Sequence, residues 1–304
     1  MKISVLMSTY KEDISLLRES IESILNQTYK DFEFIIILDN PDNKEHIKCI
    51  QEYAEKDSRI RFSINEMNMG LTLTLNKGIQ LAEGEYICRM DADDISEIDR
   101  IEKEYDYLVS HQLDLVGCLS MMIDEQGNTL YQIKKVPSSV QKIKKCLKYN
   151  QVISHPTWFG KKEMFKDLNG YRQIPLCEDT DFTLRAILKG YKIGNINQCL
   201  LRYRLTKDSI SRTHLYEQYL YLKYITKAYR KNEIADIKNA KEYVERHKSE
   251  KKINRFLKAN QVFNEALYAL ENKNYLTVMG KCFHLLFISK DYLGKIYRLV
   301  RVSL

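Results

Sequence analysis

A chain of 304 residues with 44% hydrophobic and 29% charged side chains has the material for a full core, one large domain and a smaller appendage. No uninterrupted apolar run approaches the eighteen or so residues of a membrane-spanning helix, and Met1-Lys2-Ile3-Ser4 leads straight into a strand, so a cytoplasmic chain without a signal peptide is expected. The net charge of +7 gives only non-specific attraction to anionic partners, and no nucleic-acid partner is expected. The seven scattered cysteines, without a C-x-x-C pair, fit reduced thiols better than a disulfide frame or a zinc site.

Ile3 to Met7 reads as a buried strand. A polar loop through Ser8-Thr9-Tyr10-Lys11-Glu12-Asp13 follows, then a helix with Leu17, Ile21, Ile24 and Leu25 at helical spacing. Phe34 to Leu38 repeats the pattern, ending at Asp39-Asn40-Pro41-Asp42-Asn43 before a helix around His46 to Tyr53. Ile60 to Ile64 is a third strand, Thr72 to Ala82 a third helix, and Tyr86 to Met90 a fourth strand that runs into Asp91-Ala92-Asp93-Asp94. This alternation predicts a parallel sheet with helices on both faces, and ligands collect at the carboxyl ends of such strands. Thr9, Tyr10, Asp39 and the 91–94 cluster all fall there.

Beyond a helix near Ile98 to His111 the alternation loosens. Leu113 to Ile123 and Thr129 to Ile133 read as strands, Ser138 to Tyr149 as helix, Thr157 to Gly160 as extended, and Glu178 to Lys189 as a helix with an acidic first turn. From about residue 214 the chain reads as helical and rich in Tyr, Lys and Glu.

Three carboxylates in four residues at a strand end repel one another unless a cation sits among them. A helix cap would need one Asp rather than three. A calcium loop would use Asp91, Asp93 and Glu102, but Ile95 and Ser96 stand where a ligand and a glycine are required. There is no P-loop, and no G-x-G-x-x-G follows the first strand. A nucleoside diphosphate held mainly through a divalent metal remains, with Asp39 available to accept from a base and Tyr10 to stack on it.

Several segments together resemble family 2 glycosyltransferases: residues 4–10, residues 23–33, Asn76-Lys77-Gly78, residues 82–87 and Asp91-Ala92-Asp93-Asp94. The likeness covers roughly the first 210 residues and implies a GT-A fold, a Rossmann-like α/β architecture with a mixed, mostly parallel sheet flanked by helices. Residues 1–213 would be that domain, with a nucleotide-sugar half over 1–95 and an acceptor half over 96–213, and residues 214–304 a helical C-terminal region. The resemblance implies Asp39 at the base, Thr9, Tyr10 and Glu12 bordering base and ribose, Asp91 near the ribose, and Asp93 as ligand of Mn²⁺ or Mg²⁺. Asp94 is left between the site and a cap for the next helix. Leu38-Asp39-Asn40-Pro41 replaces the family's usual acidic pair and Gly-Ser, with Asp39 aligned to the second acid.

Acids at Glu178-Asp179-Thr180-Asp181 would suit a helix N-terminus on their own account. By resemblance Glu178-Asp179 looks like the acceptor-side motif of inverting members, with Asp179 as general base. His155 is kept outside the catalytic set, and Thr206 stands where the family often has a His. Arg204, Lys207 and Arg212 are read either as diphosphate contacts or as solvated charges. In the last helix, Leu293, Ile296, Tyr297, Val300 and Leu304 form an apolar stripe beside Lys290, Lys295, Arg298 and Arg301. It suits an anionic membrane surface, the helix's own domain or a second subunit equally. The expectation is an inverting, metal-dependent transferase that moves a sugar, UDP-linked by analogy, to a glycan or lipid-linked glycan in capsule, exopolysaccharide or similar surface-polymer synthesis. The rivals are a nucleotidyltransferase and a non-catalytic nucleotide-sugar-binding component.

Overall fold

The computed structural model describes residues 2–206 and 214–303. The chain divides into two compact units. One comprises Met1–Lys145, Gln151–Gln173 and Glu178–Lys207, the other Cys146–Asn150, Ile174–Cys177 and Asp208–Leu304.

In the first unit, β1 (Ile3–Thr9), β2 (Phe32–Leu38), β3 (Ile60–Ile64) and β4 (Tyr86–Asp91) pair in parallel in the order β3-β2-β1-β4. The helices α1 (Ile14–Leu25), α2 (Lys44–Lys56) and α3 (Leu71–Leu81) connect them. Every residue of β2 and nearly every residue of β1 is buried, as unbroken apolar strands require when both faces are covered. The sequence-derived parallel alternation stops at β4. The short β8 (Phe159–Lys161) pairs antiparallel with both β4 and β6 (Leu115–Ile123), and β6 pairs in parallel with β9 (Ile193–Arg204). Two-residue β5 (Ile95–Ser96) and β7 (Thr129–Gln132) add antiparallel edges, giving a mixed sheet.

The twelve-residue β9 is absent from the sequence-based reading. Asn195, Asn197 and Gln198 interrupt its apolar pattern, and its pairing shifts register twice along β6, so no two-residue period survives. The shorter helices are α4 (Arg100–Ser110), α5 (Val140–Cys146), α6 (Lys162–Asp167) and α7 (Glu178–Leu188). Arg100 is wholly buried on α4. Its guanidinium pairs with Glu104 at 3.1 Å and donates to the carbonyls of Arg89 and Pro156 at 2.9 and 3.0 Å, bracing the end of β4.

The turn into β4 depends on one glycine. A Cβ on Gly84 would lie 2.7 Å from the carbonyl carbon of Ile3 and from the nitrogen of Ser4, both backbone atoms. There the buried Glu33 carboxylate collects Ser4 Oγ at 2.6 Å, the Glu83 N–H at 2.6 Å and Arg61 Nη1 at 2.6 Å. Burial alone would raise its proton affinity, but these donors prevail and hold Glu33 below the usual carboxylate range. Gly84→Ala is therefore expected to destabilise the protein by about 1–3 kcal/mol through overpacking. A lower denaturation midpoint at unchanged m-value is the signature, and an unchanged midpoint would show that the strand yields freely.

The second unit holds α8 (Leu215–Arg230), α9 (Ile237–His247), α10 (Glu250–Glu271), α11 (Tyr275–Ile288) and α12 (Lys290–Ser303). Phe256 anchors its core, with the rings of Tyr216, Tyr219 and Tyr292 centred 5.0, 5.3 and 5.0 Å away. The basic residues expected to flank an outward stripe on α12 partly turn inward. Arg298 is buried and donates to the Tyr149 carbonyl and to Thr226 Oγ1, while Lys295 lies over the Phe256 and Tyr292 rings. Leu304 lies outside the described residues. Among these no helix is long and apolar enough to cross a membrane.

Candidate active site

The carboxyl ends of β1, β2 and β4 are level: Thr9 stands opposite Leu38 and Ser8 opposite Asp91, and the Asp39 N–H donates to the Thr9 carbonyl at 2.8 Å. Thr9, Asp39 and Asp91 thus share one edge. Glu12 organises the loop after β1, its Oε2 accepting from Thr9 Oγ1 at 2.6 Å and from the Tyr10 N–H at 2.8 Å. His46 on α2 locks this turn from behind, with Nδ1 3.2 Å from Thr9 Oγ1 and Nε2 2.9 Å from the Glu12 carbonyl. In sequence His46 is only a polar residue on a helix, and nothing there marks the contact. The Tyr10 ring remains exposed, at 38%.

Asp39 is buried and already engaged. Its Oδ1 accepts from Asn65 Nδ2 at 2.7 Å and from the Met69 N–H at 2.8 Å, and its Oδ2 accepts from the Gly70 N–H at 2.7 Å. It ties the end of β2 to the entry of α3, where the helix dipole favours an anion. A carboxylate offers about four acceptor positions, so Oδ2 retains one for a further donor.

The 91–94 cluster alternates. Asp91 and Asp93 are half-exposed, whereas Ala92 and Asp94 point into the protein. Asp94 is not a helix cap: β5 intervenes before α4, and Asp94 Oδ1 accepts the Arg204 N–H at 2.8 Å, leaving buried Oδ2 without a partner among the described residues. Nor is Arg204 a solvated or ligand-seeking charge. It is buried and donates to the carbonyls of Asp93, Asp124 and Glu125 at 2.8, 3.1 and 3.0 Å, and pairs with Glu19 at 2.7 Å. Lys207 and Arg212 lie outside the described residues.

Burial, with the negative charges of Asp91 and Glu12, pushes the Asp93 carboxyl up to about 7. Asp94 is pushed well above the usual carboxylate range by its burial and by the charges of Asp91 and Asp93. These charges lack a full complement of cations. Among the described residues no three His, Cys, Asp or Glu side chains converge to hold a metal unaided. A site with a single available carboxylate, Asp93, would fit a divalent ion of the kind bound by one or two carboxylates together with phosphate oxygens and water.

The second acidic site begins α7. Asp179 Oδ1 accepts from the Thr180 N–H at 2.5 Å, and Oδ2 faces Gln151 Nε2 at 3.4 Å; the same amide reaches Thr183 Oγ1 at 3.2 Å. Gln151 was not singled out in the sequence. Burial raises the proton affinity of Asp179. Burial and the Asp179 charge push Glu178 up to about 7. Asp181, two residues on, points elsewhere and is neutralised by Arg172 and Arg185.

The charge of a buried cation reaches both acidic sites. Arg89, on β4, pairs with Asp91 through Nη2, while its Nε and Nη1 are buried without partners among the described residues. Its charge favours ionised Glu178 and Asp179, and Asp91 in turn disfavours ionised Glu178, so the sites sense one another. His155 has a supporting place: its Nε2 lies 2.9 Å from the Tyr171 hydroxyl, its ring packs on Trp158, and burial beside Arg89 holds it neutral.

The glycosyl transferase family 2 profile matches residues 4–169, more than half of the chain. This chain is a family 2 glycosyltransferase. It is 39% identical to an uncharacterized glycosyltransferase of Methanocaldococcus jannaschii over 231 residues, covering 76% of this chain and 80% of that protein. It is 35% identical to the O-antigen biosynthesis glycosyltransferase WbnJ of Escherichia coli, over 70% of this chain and 83% of that one. The fold of this glycosyltransferase is that of S. aureus TarS 1–349, solved with UDP (TM-score 0.60) and with UDP-GlcNAc (TM-score 0.61). At 19% identity, the likeness covers 80% of this chain and 70% of that one. The mixed sheet, with helices on it and a helical C-terminal region, is thus the GT-A arrangement.

Proposed function

We propose that this glycosyltransferase moves a sugar from a UDP-sugar to a growing glycan, free or lipid-linked, with inversion and with the help of a divalent cation, in the synthesis of a surface polysaccharide. The observation that carries this reading is the pair of acidic sites, Asp91 and Asp93 at the ends of the parallel strands and Glu178 and Asp179 at the start of α7, with the buried Arg89 guanidinium paired to Asp91 and its charge felt at Asp179. WbnJ, named for O-antigen biosynthesis, supports the polymer, and the UDP and UDP-GlcNAc complexes of TarS support the donor.

In this reading Tyr10 stacks on the base, the remaining Asp39 lone pair accepts from it, Thr9 and Glu12 shape the ribose side, and Asp91 approaches the ribose. Asp93 would hold Mn²⁺ or Mg²⁺, which supplies charge neutralisation to the departing diphosphate. Asp179 takes the proton of the acceptor hydroxyl as that oxygen attacks the anomeric carbon, and the bond to the diphosphate oxygen breaks. One displacement inverts that carbon and needs no covalent enzyme intermediate.

The test is UDP release from a panel of UDP-sugars with and without Mn²⁺. Metal-stimulated release is expected for at least one donor. Pyrophosphate release from a nucleoside triphosphate would favour a nucleotidyltransferase, and failure to bind any nucleotide sugar would overturn the proposal.

A further inference from the structure

The helix α11 is inverted relative to an ordinary surface helix. Leu276, Met279, Phe283 and Phe287 recur at spacings of three and four and so share one face, yet they are 84%, 69%, 65% and 72% exposed. Leu285, on the opposite side, is the buried residue of the helix, and the Phe283 and Phe287 rings pack on each other, with centroids 5.1 Å apart. At the end of α10, Tyr268 and Leu270 are also exposed. A contiguous apolar surface of this kind on a folded chain marks a docking site.

Charge identifies the occupant. Residues 214–303 carry eighteen Lys and Arg against nine Asp and Glu, a net charge of +9, while the whole chain carries only +7. The positive charge is therefore concentrated in the helical unit that bears the apolar face. A second copy docked through the same face would bring two such units together against their mutual repulsion. An anionic lipid surface instead accepts both the apolar face, at the boundary between headgroups and acyl chains, and the positive charge of the unit that bears it.

We infer that α11 docks this protein onto an anionic bilayer surface, lying in the interface with Leu276, Met279, Phe283 and Phe287 inserted. This differs from an outward stripe on α12, whose Arg298 is buried and whose Lys295 is turned onto rings. The inference concerns the helical unit and does not depend on the donor or acceptor.

The experiment is flotation of the full chain with vesicles of phosphatidylglycerol and phosphatidylcholine, and with phosphatidylcholine alone, accompanied by sedimentation velocity without lipid. Wild type is expected to float with the anionic vesicles, and less so with neutral ones. Phe283→Ser/Phe287→Ser should float at least tenfold less, with an unchanged melting temperature because both rings are exposed. Independently, Phe283→Trp should show a blue-shifted emission on adding anionic vesicles. Absence of wild-type binding, or equal binding by the double variant, would overturn the inference. So would a lipid-free dimer that the double variant dissociates, since a second copy would then cover the face.

Discussion

Asp93→Ala is expected to abolish metal-dependent binding of the nucleotide donor while leaving the fold intact. Loss of a cation that neutralises a leaving diphosphate is worth several kcal/mol, so the decline in turnover should reach about a hundredfold or more. Calorimetric titration of UDP in the presence of Mn²⁺ measures the binding part directly. Equal affinity in the variant would remove Asp93 from its assigned place. The same substitution should have an opposite effect on stability without metal. Burial and the Asp91 and Glu12 charges raise the Asp93 carboxyl to about 7 in the folded state, against about 4 in an unfolded chain. The native state then holds more protons across that interval, so the contribution of Asp93 to stability falls as pH rises from about 4 towards 7 and stays unfavourable above it. Asp93→Ala without metal should therefore melt higher than wild type at pH 8, with the gain vanishing near pH 4.

Asp179→Asn is expected to leave donor binding nearly unchanged and to lower transfer by about 10²–10⁴, the usual contribution of a general base. Because burial raises its proton affinity, the acid limb of the wild-type rate should lie above the ordinary carboxylate range, with activity lost as pH falls through that limb. Asn at this position should flatten the limb. Undiminished transfer, or an unchanged limb, would assign the base to another residue. Glu178, raised to about 7 beside it, is the group to examine next.

Strands β1 and β2 were readable because they are short and almost wholly apolar, so burial on both faces leaves a signature that needs no knowledge of the partner strand. The strand β9 was not, since its polar residues are accommodated by register shifts that only the pairing with β6 creates. The acidic residues of the candidate site were legible as motifs, but their partners were not. Arg89 lies within the strand predicted over Tyr86 to Met90 and Arg204 two residues before Thr206, yet a sequence cannot say which of several arginines is buried or what faces it. Asp94 stayed undecided between site and cap for the same reason, because a cap is a local inference and its partner, the Arg204 N–H, comes from 110 residues away. Gln151 and His46 are single polar residues whose roles come from folding alone.

The ties of Arg204 also bear on how a donor would be received. The Arg204 guanidinium joins the Asp93 carbonyl, the turn at Asp124 and Glu125, and Glu19 on α1, while the backbone N–H of Arg204 fixes Asp94. The acidic loop is thus rigid before any ligand arrives, and a ligand binding there escapes most of the ordering entropy that a slack loop would charge against its affinity.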